Sequence, residues 1–285
     1  MRRNNRLFLV LLLFSIPTVG WVQEKQENEK QKPLNTQMPT FRVDAEGFNA
    51  PEENIKALCS SAGITIWQYC TDVEADKFVV IRGRKGPYFS HIKNDRKELV
   101  IQLDTEGTYW SQYAYQFAHE FCHLLCGHAN KDPRLLWFEE TLAETASLFA
   151  MRRMAQTWEK KPPYSNWKEY RHSLRQYTDR VMLTRTEQFE LYELGLGKYF
   201  QKHQAELLKV ATNRERNGAM AQVLLPLFEN QPEQWQALHW LNKTPIDPKE
   251  TFEQHLGTWH KTAPMKHRPF IAKIAKMYGY PLEEK

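Results

Sequence analysis

The chain has 285 residues, 41% of them apolar and 26% charged, with a formal charge of +5. Such a composition excludes a disordered polymer and allows one large domain or two small ones. The small excess of cations, with no basic block, gives no basis for nucleic-acid binding.

The N-terminus opens on a basic MRRNNR, followed by an apolar run from Leu7 to Ile16, then Pro17 and the small residues Thr18 and Gly20. That is the layout of a secretory signal peptide over residues 1–20. The apolar run is ten residues long, whereas a membrane span needs about twenty. Removing this segment takes away Arg2, Arg3 and Arg6 and leaves about +2. The expectation is a secreted or periplasmic protein with no stable membrane span once the signal is gone. Residues 21–40 are polar and low in complexity, a flexible lead-in.

FRVD (41–44) alternates as a short strand. APEENIKALCSSAG reads as a helix that stops at Gly63. ITIWQY (64–69), KFVVIRG (77–83) and ELVIQLD (98–104) are β-branched and aromatic, hence strands, and RKGPYFSHIKND is a loop. ELVIQLD is either an edge able to pair with an extended peptide or an interior strand. Cys59 and Cys70 are the natural disulfide pair of an exported chain. Cys122 and Cys126, spaced i,i+4 on one helix, are awkward to bridge and read as buried thiols.

From Tyr109 to Cys126 the chain has no Gly or Pro, and Gly127 stands where a helix C-cap belongs. HANKDPR is a turn, residues 135–158 form a second long helix, and KKPPYSNW breaks it. From about residue 168 to 280 the apolar residues recur at helical spacing, QFELYELGLGKYFQKHQAELLKVA and EQWQALHWLN included. The fold class is therefore α+β and mostly α, with a small N-terminal β region ahead of a helical C-terminal region over 161–285.

The chemistry concentrates in HEFCH, where His119, Glu120 and His123 match H-E-x-x-H. A helix turns about 100° per residue, so the two histidines point about 40° apart, one turn separated, and both can meet one Zn²⁺. Glu120 lies to the side, able to take a proton from activated water but poorly placed to coordinate. Phe117, Ala118, Phe121, Leu124 and Leu125 make this helix apolar on most faces. A buried Glu between two buried His is costly without partners, which favours a site over a chance string. A catalytic zinc also needs a third protein ligand. His128 and Asp132 are candidates in the following turn. WFEETLAE offers Glu140 and Glu144 at i,i+4 on one face of an otherwise apolar helix, and two such acids need a cation nearby. The bland alternative is a solvated acidic stripe that includes Glu139.

HEFCH followed by WFEETLAE resembles the gluzincin-type, peptidase MA-like zinc metallopeptidases, whose second helix typically reads W-L-x-E-G-x-A-E. Trp137, Phe138, Glu140, Ala143 and Glu144 stand in that frame, and the likeness covers Phe117 to about Met154. The resemblance implies a zincin-like two-helix metal site within 41–160 and a peptide or protein substrate. Its zinc ligands would be His119, His123 and Glu140, with Glu120 as general base and Glu144 orienting His119 from behind. Glu139 is expected to stay out of the site. Thr141 replaces the usual Gly, Glu139 stands where the aminopeptidase members have Asn, and their G-x-M-E-N signature is absent. Such enzymes also use a Tyr or His to stabilise the oxyanion. Tyr192, Tyr199, His203, His239, His255, His260 and His267 are available, and the sequence does not choose. The rival expectation is an inactive zincin-fold factor for binding or assembly at the cell envelope; an intact Glu120 speaks for the enzyme.

Overall fold

Four short runs of β-branched and aromatic residues build one sheet. They are β1 (Phe41–Val43), β2 (Phe78–Arg82), β3 (Tyr88–Ser90) and β4 (Leu99–Leu103), in spatial order β1-β2-β4-β3. The first two pairings are parallel and the last is antiparallel. The computed structural model in which these strands are seen describes residues 33–127, 132–245 and 247–282. The expected signal peptide, most of the lead-in and His128 lie outside those residues.

Strand β3 falls in RKGPYFSHIKND, expected as a loop. Gly86, at φ +92°, turns the chain back, and its N–H donates to the Asp104 carboxylate at 2.8 Å. ELVIQLD is consequently interior, and β3 is the edge on that side.

Helix α1 (Glu52–Trp67) connects β1 to β2 and carries Glu52 and Glu53 in its first turn, where the helix dipole favours them. It does not stop at Gly63. A Cβ there would lie 2.3 Å from the Met38 methyl and 3.1 Å from the Phe117 ring, so this glycine serves close packing. ITIW, expected as strand, stays helical because Ile66 and Trp67 bury themselves that way. Tertiary burial here overrides β-propensity. The longer helix also separates the cysteines. About 12 Å of helical rise lies between Cys59 and Trp67, beyond the roughly 4.4–6.8 Å Cα spacing of a disulfide. Cys59 and Cys70 are separate buried thiols, which corrects the expected bridge.

Helix α2 (Trp110–Leu125) has two working faces. Phe117 and Phe121 lie on the sheet side, 6.2 Å and 6.0 Å from the Phe78 ring, which stacks on Phe41 at 4.9 Å. Aromatic pairs of this kind contribute about 0.5–1.5 kcal/mol each beyond their burial. His119 and His123 follow their phenylalanines by two residues, about 200° round the helix, and so face away from the sheet.

Opposite that second face lies α3 (Leu136–Thr157), buried along most of its length. Along it pack α4 (Arg171–Leu183) and α7 (Arg214–Asn230); α5 (Gln188–Leu194) packs on α7 and on α6 (Leu196–Leu207), and α9 (Arg268–Met277) on α6 and on α8 (Phe252–Thr262). Trp137 and Phe138 anchor the start of α3 in an aromatic cluster, with Phe252 4.7 Å and 5.1 Å away and Phe200 stacked on Trp137 at 4.9 Å. QFELYELGLGKYFQKHQAELLKVA forms two helices rather than one, parted at Gly195, whose φ is +74°. EQWQALHWLN forms a 3₁₀ helix, Pro232–Trp240. From Pro33 onward the chain is a single unit of α+β class, mostly helical. Among the described residues no helix is long and apolar enough to cross a membrane.

Candidate metal centre

The pairing of α2 with α3 follows from which residues meet. His119 faces Glu144, and His123 faces Glu139 and Glu140, so the two helices run antiparallel. The Nε2 atoms of both histidines converge on one carboxylate, His119 at 3.2 Å from Glu140 Oε2 and His123 at 3.4 Å from Oε1. Donor atoms of all three residues lie within 4.8 Å of one another. Ligands at about 2.0–2.2 Å from a tetrahedral zinc lie roughly 3.4 Å apart, which both measured separations match. Two imidazole nitrogens and a carboxylate oxygen also suit that ion chemically. These residues fit a zinc ion.

Behind each ring stands a second carboxylate. Glu144 Oε2 lies 3.7 Å from His119 Nδ1. Its other oxygen accepts from the Tyr115 hydroxyl at 2.5 Å and the Arg185 guanidinium at 2.6 Å. His123 Nδ1 donates to Glu139 Oε1 at 2.5 Å, and the Asn242 amide donates to Glu139 Oε2 at 2.9 Å. Glu139, expected outside the site, is thus 4% exposed and part of it. Adjacent helix positions point about 100° apart. Glu140 therefore meets His123 from the front while Glu139 takes its back.

The electrostatics follow from this crowding of acids. Burial alone would lower both histidines. The Glu140 carboxylate at hydrogen-bond distance and the Glu144 carboxylate beside the ring outweigh it for His119, which is raised well above its ordinary value. Glu139 and then Glu140 do the same for His123, pushed up to about 9. Burial would raise Glu140 and Glu144, yet the facing histidines hold both below the usual carboxylate range. The acids thus favour the protonated, positively charged form of both rings.

Glu120, 3% exposed, lines the same cavity of about 590 Å³ as His119, His123 and Glu140. One wall is the β3 edge, with Tyr88 and Phe89. The other is Tyr177 and Val181 of α4 with Arg214 and Asn217 of α7. Thr141 is buried and donates to the Trp137 carbonyl of its own helix at 2.9 Å. Asp132 pairs with the Arg134 side chain at 3.1 Å, away from the three donors. Of the seven tyrosines and histidines considered for oxyanion stabilisation, none lines this cavity; Tyr88, His91, Tyr115 and Tyr177 do. Burial raises the Tyr177 hydroxyl, which keeps it a proton donor. A second histidine–carboxylate group, Glu187, Glu190 and His203, is already met by Lys202 and Arg216.

Sequence reasoning missed Glu139, Tyr115, Tyr177, Arg185 and Asn242. Tyr115 had a signal, since it lies four residues before His119 and so on the same helix face. Arg185 and Asn242 stand 41 and 103 residues from the carboxylates they hold, with no local spacing to betray them. In comparisons with family models, curated proteins and solved structures, the chain matches none.

Proposed function

We propose that this protein is a zinc-dependent metallopeptidase, exported by its basic-then-apolar N-terminus, that hydrolyses peptide bonds. One observation carries the reading: donor atoms of His119, His123 and Glu140 converge within 4.8 Å of one another while a buried Glu120 shares their cavity. Bound there, zinc would supply Lewis-acid chemistry, polarising a carbonyl and making water acidic. His119, His123 and Glu140 hold the cation, and Glu139 and Glu144 fix the imidazole rings behind it. Glu120 takes the proton of the attacking water and passes it to the leaving amine, the work of a general base turned acid. Tyr177 donates a hydrogen bond to the carbonyl oxygen as charge grows on it. The outer edge of β3 runs along the cavity and is the place for an extended peptide to align.

The test is Glu120→Gln. Zinc content should match wild type while hydrolysis of a mixed peptide pool falls by about 10²–10⁴-fold. A variant that digests the pool as fast as wild type ends this mechanism. A zinc-loaded wild-type chain that leaves every peptide intact would instead support a binding or assembly factor.

A further inference from the structure

The carboxylates behind the histidines are themselves held, and by residues that no spacing around H-E-x-x-H announces. Arg185, in the connection between α4 and α5, reaches Glu144 at 2.6 Å and Glu215 at 3.2 Å. The backbone N–H of the next residue, Thr186, also donates to Glu215 at 3.2 Å, so the connection is pinned on both sides. The Arg185 side chain lies across α7 at Gly218. A Cβ on Gly218 would come 2.4 Å from Arg185 Nε and 3.0 Å from its Cδ and Cζ. A glycine in a helix interior costs about 0.5–1 kcal/mol relative to alanine, and here it leaves room for the guanidinium. On the other side, the Asn242 amide donates both to Glu139 at 2.9 Å and to the Gly127 carbonyl at 3.4 Å. Asn242 therefore ties the end of α2 to the carboxylate behind His123.

We infer that Arg185 and Asn242 are positioning residues of the metal centre. They fix Glu144 and Glu139, those fix the rings of His119 and His123, and the segments after residue 160 that carry them thereby set how tightly a cation is held. The chemistry asks for these two donors. Glu144 needs a full positive charge, because its Oε1 takes two donors while Oε2 stays turned to His119. Glu139 takes a neutral amide on Oε2, which orients the carboxylate with Oε1 on His123. Guanidinium geometry matters at the first position, since one fork serves Glu144 and Glu215 together.

This rests on the metal-centre reading, and the experiment separates the two. Zinc dissociation constants of the full chain are measured by competition with a chromogenic chelator, beside near-UV circular dichroism and the melting temperature of the metal-free protein. Wild type holding zinc while Glu140→Ala loses it establishes the centre whichever way Arg185 falls. Arg185→Met and Asn242→Ala are each expected to weaken zinc by about tenfold or more, the usual effect of removing a support behind a ligand. Arg185→Lys should recover part of that loss. Gly218→Ala should weaken zinc in the same direction, although alanine favours the helix. A merely structural role would lower the melting temperature and leave the zinc constant of the folded protein where it was. Unchanged zinc constants in folded Arg185→Met and Asn242→Ala would overturn the inference. If Arg185→Met does not fold, unchanged constants in Arg185→Lys and Gly218→Ala overturn it instead. A wild-type chain that takes up no zinc brings down both readings.

Discussion

Two regions of the molecule each bury a histidine. His123 in the metal centre is 5% exposed, and His267, ahead of α9, is 2% exposed. Their proton affinities nevertheless part in opposite directions, His123 up to about 9 and His267 down to about 4. Burial lowers both, so burial does not make the difference. The partner does. His123 donates to a carboxylate, whereas His267 Nδ1 donates to the amide oxygen of Gln234 at 2.8 Å and its Nε2 is buried with no hydrogen-bond partner among the described residues. An amide orients a neutral ring; a carboxylate asks for a cation beside it. The first arrangement is what a core needs and the second is what a metal centre needs.

The comparison can be broken most severely at Glu140. Glu140→Ala removes the carboxylate on which both Nε2 atoms converge, and zinc retention after gel filtration should fall by more than the roughly 10–100-fold seen for outer supports. Retention at the wild-type level would mean that the acids around His123 serve only each other. A milder change gives His123 the kind of partner His267 has. Glu139→Gln should weaken zinc by about 10–100-fold while keeping an acceptor for Nδ1, as read by chelator competition. Equal affinity would make the charge of Glu139 irrelevant. The converse exchange, Gln234→Glu, gives His267 a carboxylate. NMR titration should then place its pKa at least about two units higher, and a value still near 4 would show that burial decides after all.

The smallest expected effect is in wild type itself. The folded pKa of His267 lies near 4, below the ordinary value of about 6.5, so the unfolded chain takes up the proton first as pH falls. Stability from this group is complete above about pH 6.5 and lost as pH falls towards 4. The loss is on the order of 1–2 kcal/mol once solvent screening is allowed for. His239, pushed down to about 4 by burial and then Lys243, adds to the same slope. Urea midpoints at pH 7 and pH 5 measure it, and His267→Gln should flatten the difference. An unaltered difference would remove His267 from the account.

Much of the centre was legible because it is local. The i,i+4 spacing of His119 and His123, and of Glu140 and Glu144, fixes helix faces before any packing is known. Glu139 was misread because three acids within six residues ordinarily mark a solvated stripe. Only the wrapping of α3 by helices from the far half of the chain makes that position interior. The same dependence hid Arg185 and Asn242, whose roles exist only once α4, α7 and the segment after Trp240 have closed on α3. The fold was misread where local preference and burial disagree. ITIW has the composition of a strand and is helical, and YFS follows Gly-Pro like a loop and is an edge strand.

The unbridged cysteines have a use of their own. Cys59 and Cys70 are 0% and 1% exposed, and burial raises both thiols far above their ordinary value. Thiolate, the reactive form, is therefore scarce at neutral pH, and an alkylating reagent has no path to it in the closed molecule. Labelling must wait for the chain to open. The rate at which these two sulfurs are modified is then a clock for opening of the α1 core, and zinc should slow that clock in proportion to how tightly the native state holds it.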